Sequence, residues 1–310
     1  MSAQSDFLDI GHDMSQLAAG GYIEFWPKEA IEEALRSLVA GFRARKLCTP
    51  AEASKFRGVA GFAAMAEWGH LGRLHLSPFK QRQYWDIPPW HLSKTMLRAL
   101  DFQDLLLEVK PKRRVYVGRP AKRSLVVASD AQVEPGSWPG GGYLVYDPEE
   151  DSRWGHWLAF KAQHLALWGL SLAELQEGRQ PIALCEAAML PCALLAAPEV
   201  FRGRHVLLYV DNTSAMPAFV KGASGNPDLE RIIVVFWILV FHIECTVWIE
   251  WVDSKANWAD GISRLFGSDP VARELGFATQ ETELDTQWWN DALSSVWDSI
   301  RTHVDQALEK

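Results

Sequence analysis

Asp211 closes an apolar run, Val206–Val210, in the stretch RHVLLYVDNTSAMPAF (Arg204–Phe219). Consecutive apolar residues rich in β-formers predict a central strand covered on both faces. Asn212, Thr213 and Ser214 are turn and N-cap formers and a helix-like stretch follows from Ala215. Asp211 therefore falls at the carboxyl end of a buried strand, where open α/β sheets bind their ligands. A carboxylate there costs several kcal/mol unless something satisfies it, and a bound cation is the usual solution. Alone, the residue reads equally well as a capping or turn aspartate. Three more acids stand in comparable places. Asp130 ends the strand-like LVVASDAQV (Leu125–Val133), Glu186 sits in the apolar helix IALCEAAMLPCALLAA (Ile182–Ala197), and Asp260 opens a short helix in NWADGISR (Asn257–Arg264). An acid near the start of a helix is also what the helix dipole favours by itself, so Glu186 has a structural reading too.

The elements that must carry these acids follow from the same patterns. Gly140–Tyr146 (GGGYLVY) and Trp154–Ala162 (WGHWLAFKA) read as strands, which with the Asp130 strand make a three-stranded meander. Pro227–Cys245 is a helix apolar nearly all round, hence buried against a sheet, and Thr246–Val252 (TVWIEWV) is a last strand. The expected fold is α/β: a mixed five-stranded sheet over residues 124–264 with helices on both faces.

With 310 residues and 15 Trp the chain is long enough for two domains with real cores. The front reads as a small helical domain over residues 27–109, preceded by two short strands, Phe7–Ile10 and Gly20–Trp26. Its helices are Lys28–Lys46, a second that starts at the capping box Thr49-Pro50-Ala51-Glu52 and runs through Trp68, and Ser93–Val109; Leu74–Trp90 reads as Pro-rich connection. The segment Lys110–Arg123 holds seven Lys or Arg in fourteen residues and reads as a basic linker over residues 110–123. Arg113, Arg114, Arg119, Lys122 and Arg123 are its candidate phosphate contacts, against the plainer reading of a solvated hinge. Charge divides unevenly. Residues 1–123 carry 19 Lys+Arg against 13 Asp+Glu, a balance of +6, and residues 124–310 carry 12 against 26, a balance of −14. A basic front on an acidic back suits a polyanion grip beside a carboxylate site, or simply an acidic solubilising tail. That tail, residues 265–310, repeats Trp289, Leu293, Val296, Ile300, Val304 and Leu308 at helical spacing, one amphipathic helix that either docks on the preceding domain or meets a protein partner.

Cys48, Cys185, Cys192 and Cys245 form no CxxC pair and read as reduced core thiols. The longest apolar run, Ile232–Phe241, is about half of what a membrane crossing needs, so no membrane partner is expected. The start shows no secretory pattern, and an intracellular protein, cytoplasmic or nuclear, is expected.

The order Asp, Glu, Asp, Asp on these elements is similar to the ribonuclease H family. The wording VASDAQ, ALCEAA, YVDNTSA and NWADGISR resembles the ribonuclease H domains of retrotransposon reverse transcriptases of the DIRS-like and LTR classes, over roughly Leu125–Arg264. Upstream, CTPAEASKFRGVAGFAAMAEWGHLGRLHLSPFKQRQYW (Cys48–Trp85) resembles a thumb and connection region, and Asp6–Trp26 the last hairpin of a palm, giving residues 1–26 as a palm remnant. The resemblance implies a ribonuclease H-like sheet and hydrolysis of the RNA strand of RNA–DNA hybrids with two Mg²⁺ or Mn²⁺ ions. In it Asp130 bridges both ions, Glu186 and Asp211 hold the one beside the leaving group, and Asp260 holds the one that activates water. Asn212, Ser214 and Asn257 become candidate hybrid contacts, since 2′-hydroxyl contacts tell RNA from DNA. Hard oxygen ligands without a His/Cys cluster agree with such ions.

Two features depart from the family. Val252–Ala259 lacks the histidine that many cellular members carry before the last aspartate, and no two aspartates are adjacent anywhere, so the chain has no polymerase centre. A non-catalytic nucleic-acid-binding or partner-binding remnant is the alternative, and a DNA-cutting relative using three carboxylates is a third reading.

Overall fold

The computed structural model describes residues 4–7, 10–66, 70–84, 88–117, 122–134, 137–176, 181–284 and 286–309. The chain divides into two compact units, Met1–Arg119 and Pro120–Lys310.

The first unit begins with strands β1 (Gln4–Phe7), β2 (Ile10–Asp13) and β3 (Tyr22–Pro27). Helices α1 (Glu29–Arg45), α2 (Pro50–Ala66), α3 (Ser77–Tyr84) and α4 (Lys94–Val109) follow, then β4 (Arg113–Tyr116). The strands form one antiparallel sheet in chain order. The capping box at Thr49 forms as expected: Glu52 N–H donates to Thr49 Oγ1 at 3.3 Å and Thr49 N–H to Glu52 at 2.9 Å. Leu35, Val39 and Phe42 of α1 meet Phe56 of α2, Phe79 of α3 and Leu100 of α4 in one buried cluster. Three expectations shift. The residues expected as one strand, Phe7–Ile10, span the junction between β1 and β2. The Pro-rich connection contains a helix, α3, because Pro78 falls in the first turn, where a missing N–H costs nothing. The segment expected as a linker contains β4, paired with Tyr22–Phe25.

The second unit is a mixed α/β layer structure. Strands β5 (Leu125–Gln132), β6 (Gly140–Asp147) and β7 (Ser152–Ala159) are followed by α5 (Ile182–Ala196), β8 (His205–Val210) and α6 (Ala215–Lys221). Then come α7 (Pro227–Ile243), β9 (Thr246–Trp251), α8 (Asp260–Leu265), β10 (Ala278–Glu281) and α9 (Leu293–Leu308). The sheet order is β10-β7-β6-β5-β8-β9. The meander β5–β7 is antiparallel, while β8 and β9 are added in parallel through buried helices, as a doubly covered sheet requires. The expected count of five strands is corrected to six: the tail supplies β10, parallel to β7. Its short polar sequence carries no apolar period. Backbone pairing holds it, together with Gln280, whose side chain meets His156 at 2.7 Å while His156 meets the Tyr143 hydroxyl at 2.7 Å.

Three consecutive glycines set how closely the helices approach. A Cβ on Gly140 would lie 2.2 Å from the Ser263 carbonyl of α8 and one on Gly142 2.8 Å from Ile262, whereas one on Gly141 would lie 2.7 Å from Met189 of α5. Alternate residues of a strand face opposite sides, so α5 and α8 sit on opposite faces of β6. The apolar face of α9 is buried within the unit: Val296, Trp297, Ile300 and Val304 are covered, and the Trp297 ring lies 5.5 Å from Phe241 of α7. Cys48, Cys185, Cys192 and Cys245 are buried, and none is in a disulfide. No helix among the described residues is long and apolar enough to cross a membrane.

Arg204, just before β8, closes the far end of the sheet. It donates two hydrogen bonds of 2.9 Å to Asp147, the last residue of β6, and one of 2.7 Å to the Arg123 carbonyl before β5. Both partners of the ion pair are buried. The Arg204 guanidinium holds the Asp147 carboxyl below its usual range. Arg204→Met should strand a buried carboxylate and cost about 3–5 kcal/mol in urea unfolding, with Arg204→Met/Asp147→Leu recovering much of it. Equal losses in the single and double variants would show that the ion pair itself is not what matters.

Candidate metal centre

Three acids converge at one end of the sheet. The register sets Ser129 of β5 beside Val210 of β8, so Asp130 and Asp211, the next residues, emerge side by side. Asp130 is 3% exposed and Glu186, delivered from α5 on one face, is 5% exposed. One carboxylate oxygen from each of Asp130, Glu186 and Asp211 lies within 4.8 Å of the others. Glu186 Oε1 accepts a hydrogen bond of 3.2 Å from Asn212 Nδ2. Glu186 Oε2 and Asp211 Oδ1 are buried without a partner. Buried acceptors without donors are rare because each forfeits its hydration, and here two of them sit in one carboxylate cluster.

The electrostatics agree. Burial, then the charge of Asp211, pushes the Glu186 carboxyl up to about 9. Burial raises Asp130 to about 7 against the pull of the Ser263 hydroxyl, with Asp211 and Asp260 adding to the rise. Burial thus favours protons on Glu186 and Asp130, and so close an all-oxygen set fits a hard divalent cation, which would take the place of those protons.

Asp260 is near enough to act on Asp130 but lies outside the cluster of three. At the start of α8 its Oδ1 accepts from Arg264 Nε at 3.0 Å, and Arg264 also stands 3.6 Å from Glu134. The other expected site residues divide. Asn212 is engaged within the chain: besides its bond to Glu186, its Oδ1 accepts from the Ser214 and Ala215 N–H groups, each at 2.9 Å, and so caps α6. Asn257 is engaged within the chain as well: it is 6% exposed, and its side chain donates to the Ser129 carbonyl at 2.9 Å and accepts from Ala259 N–H at 3.1 Å. Ser214 is exposed at the start of α6.

Of the basic candidates, Arg114 pairs with Glu24 at 2.9 Å and lies over the Tyr22 ring, while Arg113 is half-buried with its pKa lowered by burial. Lys122 stands 3.9 Å from Glu150, and Arg123 is exposed. Both precede β5, so an extended strand puts them roughly 20 Å from Asp130. Arg119 lies outside the described residues. Three participants escaped the sequence reading: Ser263, whose hydroxyl reaches Asp130 Oδ2; Arg264; and Trp251, whose indole N–H donates to the Asp211 carbonyl at 3.1 Å. Ser263 lies one turn beyond Asp260, and only that spacing could have flagged it.

No family model matches the sequence, and no curated protein matches it. Among solved structures, the chain is similar to the N-terminal RNase H domain of a Mycobacterium tuberculosis protein, determined as a fusion with maltose-binding protein. The likeness has a TM-score of 0.37 and 17% identity, over 49% of this chain and 97% of that one.

The raised carboxyls fix a pH dependence. Below about pH 4 folded and unfolded chains are both protonated at these positions; above it the unfolded chain sheds protons that the folded one keeps. The stability this lends is full at low pH and lost as pH rises through about 7 for Asp130 and about 9 for Glu186. Metal-free protein should therefore melt at progressively lower temperature from about pH 5 to about pH 9, with Asp130→Asn/Glu186→Gln flattening the slope. Mn²⁺ should raise the melting temperature more at about pH 8 than at about pH 6. A slope that the double variant leaves unchanged would place its origin elsewhere.

Proposed function

We propose that this chain is a metal-dependent nuclease of the ribonuclease H type, cutting the RNA strand of RNA–DNA hybrids. The observation that carries the reading is the meeting of Asp130, Glu186 and Asp211 within 4.8 Å, with two buried oxygens lacking donors, at the end of a sheet whose antiparallel meander is extended by parallel strands. Support for a retroelement reverse-transcriptase origin, with residues 27–109 as its thumb and connection, comes from the quoted sequence stretches alone. On this reading Mg²⁺ or Mn²⁺, two ions, would be held by Asp130, Glu186 and Asp211 together with Asp260. Bound there, they would supply the charge that stabilises the attacking and leaving oxygens of a phosphodiester.

The remaining work falls to the chain. Asn212 fixes the orientation of Glu186 by donating to its Oε1, leaving Oε2 turned to the cluster. Ser214, exposed beside it, is placed to meet a sugar hydroxyl, and Arg123, at the other end of β5, a phosphate farther along the same duplex.

One observation favours the non-catalytic alternative: Asp260 is already paired with Arg264. The test presents labelled RNA–DNA hybrid, duplex DNA and duplex RNA to the protein with Mg²⁺, Mn²⁺ or EDTA. Metal-dependent loss of the hybrid's RNA alone is the expected outcome; binding without cleavage selects the alternative, and cutting of DNA the third reading. Asp211→Asn should lower hybrid cleavage at least about a hundredfold, beyond the usual effect of residues outside the ligand set, while hybrid binding changes by less than about twofold. Cleavage that survives the substitution would show that Asp211 is not a ligand.

A further inference from the structure

We propose that Ser263 and Asn257 are positioning residues that clamp the segment carrying Asp260 onto β5, and so hold Asp260 beside Asp130. The inference rests on the cation reading of the centre and extends it to residues that touch neither ion nor substrate.

Asp260 itself is weakly held. It lies partly exposed at the first position of a six-residue helix, and its carboxylate pairs with Arg264, one turn away on the same helix. That pair reaches toward the sheet through the exposed 3.6 Å contact of Arg264 with Glu134, just past β5. The buried tie comes from its flanks. Asn257, three residues before, donates to the carbonyl of Ser129 at 2.9 Å. Ser263, three residues after and 0% exposed, puts its hydroxyl against Asp130 Oδ2 and at 2.9 Å from the Asp260 carbonyl. The two clamps thus grip consecutive residues of one strand, and Asp260 is suspended between them. The backbone beneath is equally close, since the Ser263 carbonyl stands where a side chain on Gly140 would be.

Ser263 has a second consequence. By bonding one oxygen of Asp130 it fixes the rotation of that carboxyl about its own axis. It is also the side-chain bond that joins a member of the three-carboxylate cluster to α8. A cation shared by Asp130 and Asp260 would therefore depend on this hydroxyl for the relative placing of both its ligands, whereas one in the cluster, held by Glu186 and Asp211 as well as Asp130, would depend on it for one ligand of three.

The test is a calorimetric Mn²⁺ titration of the full chain without nucleic acid, with thermal melts as the check on folding. The native chain should bind two ions. Ser263→Ala should leave the tighter within about twofold and weaken the second about tenfold, as loss of a supporting hydrogen bond usually does. Asn257→Ala should act in the same direction. Asp260→Asn should remove the second ion, and adding Ser263→Ala to it should cost the remaining ion nothing further. Should the alanine variant not fold, Ser263→Cys, which keeps the volume but donates poorly, should weaken the second ion at an unchanged melting temperature. A second ion indifferent to Ser263, equal weakening of both ions, or a further loss in the double variant overturns the proposal while leaving the cluster's own ion in place. A native chain that binds no ion at all overturns the cation reading as well.

Discussion

Like charges that cannot separate govern this molecule. Asp130, Glu186 and Asp211 are held by three different elements, and none can swing away, because β5 and β8 are neighbouring strands and α5 is buried along most of its length. In water three carboxylates this close would simply repel; with water excluded they must take up protons or share a cation. The rest of the second unit is arranged to keep that choice open. Parallel pairing brings the two aspartates to the same end of the sheet, α7 covers α5 from outside, and the Arg204–Asp147 pair secures the opposite end.

The parts legible from residue order are those in which burial writes a pattern. Val206–Val210, Leu125–Val133 and the apolar helix from Pro227 each show their environment residue by residue, and each is found where expected. The acids at their ends were legible for the same reason, since a charge that interrupts an apolar run is conspicuous. What escaped is what leaves no such mark. β10 is a four-residue strand, three of them polar, joined to the sheet mainly by backbone bonds, and α3 hides behind its proline. Asn257 stands close to an acid in the sequence, and only the fold shows that its side chain bonds the Ser129 carbonyl. Sequence proximity to a site and orientation toward it are separate properties. Arg264 belongs to the same lesson: from order alone it is a surface cation, and only the folded helix makes it the partner of Asp260.

Charge tells a similar story. The excess of acid over base in residues 124–310 would be odd for a protein that handles a polyanion if charge acted as a whole-molecule average. It acts locally instead. Much of the acid lies on the exposed surface, as in the tail, and burial holds the Asp130 and Glu186 carboxyls above their usual range. Screening confines the surface charges to about 10 Å, shorter than the length of β5, so the two ends of the sheet are electrostatically separate.

Gly140, Gly141 and Gly142 bind the sequence of this chain to its geometry. Each lies against a different helix residue, and the helices on the two faces bring in two of the four acids. A methyl group at Gly140 would meet backbone of α8 and one at Gly142 the branched Ile262 side chain, whereas at Gly141 it would meet the flexible end of Met189, which yields more easily. The triplet therefore constrains its two faces unequally: the helix that brings Asp260 is the less tolerant of any added carbon, and the one that brings Glu186 the more forgiving.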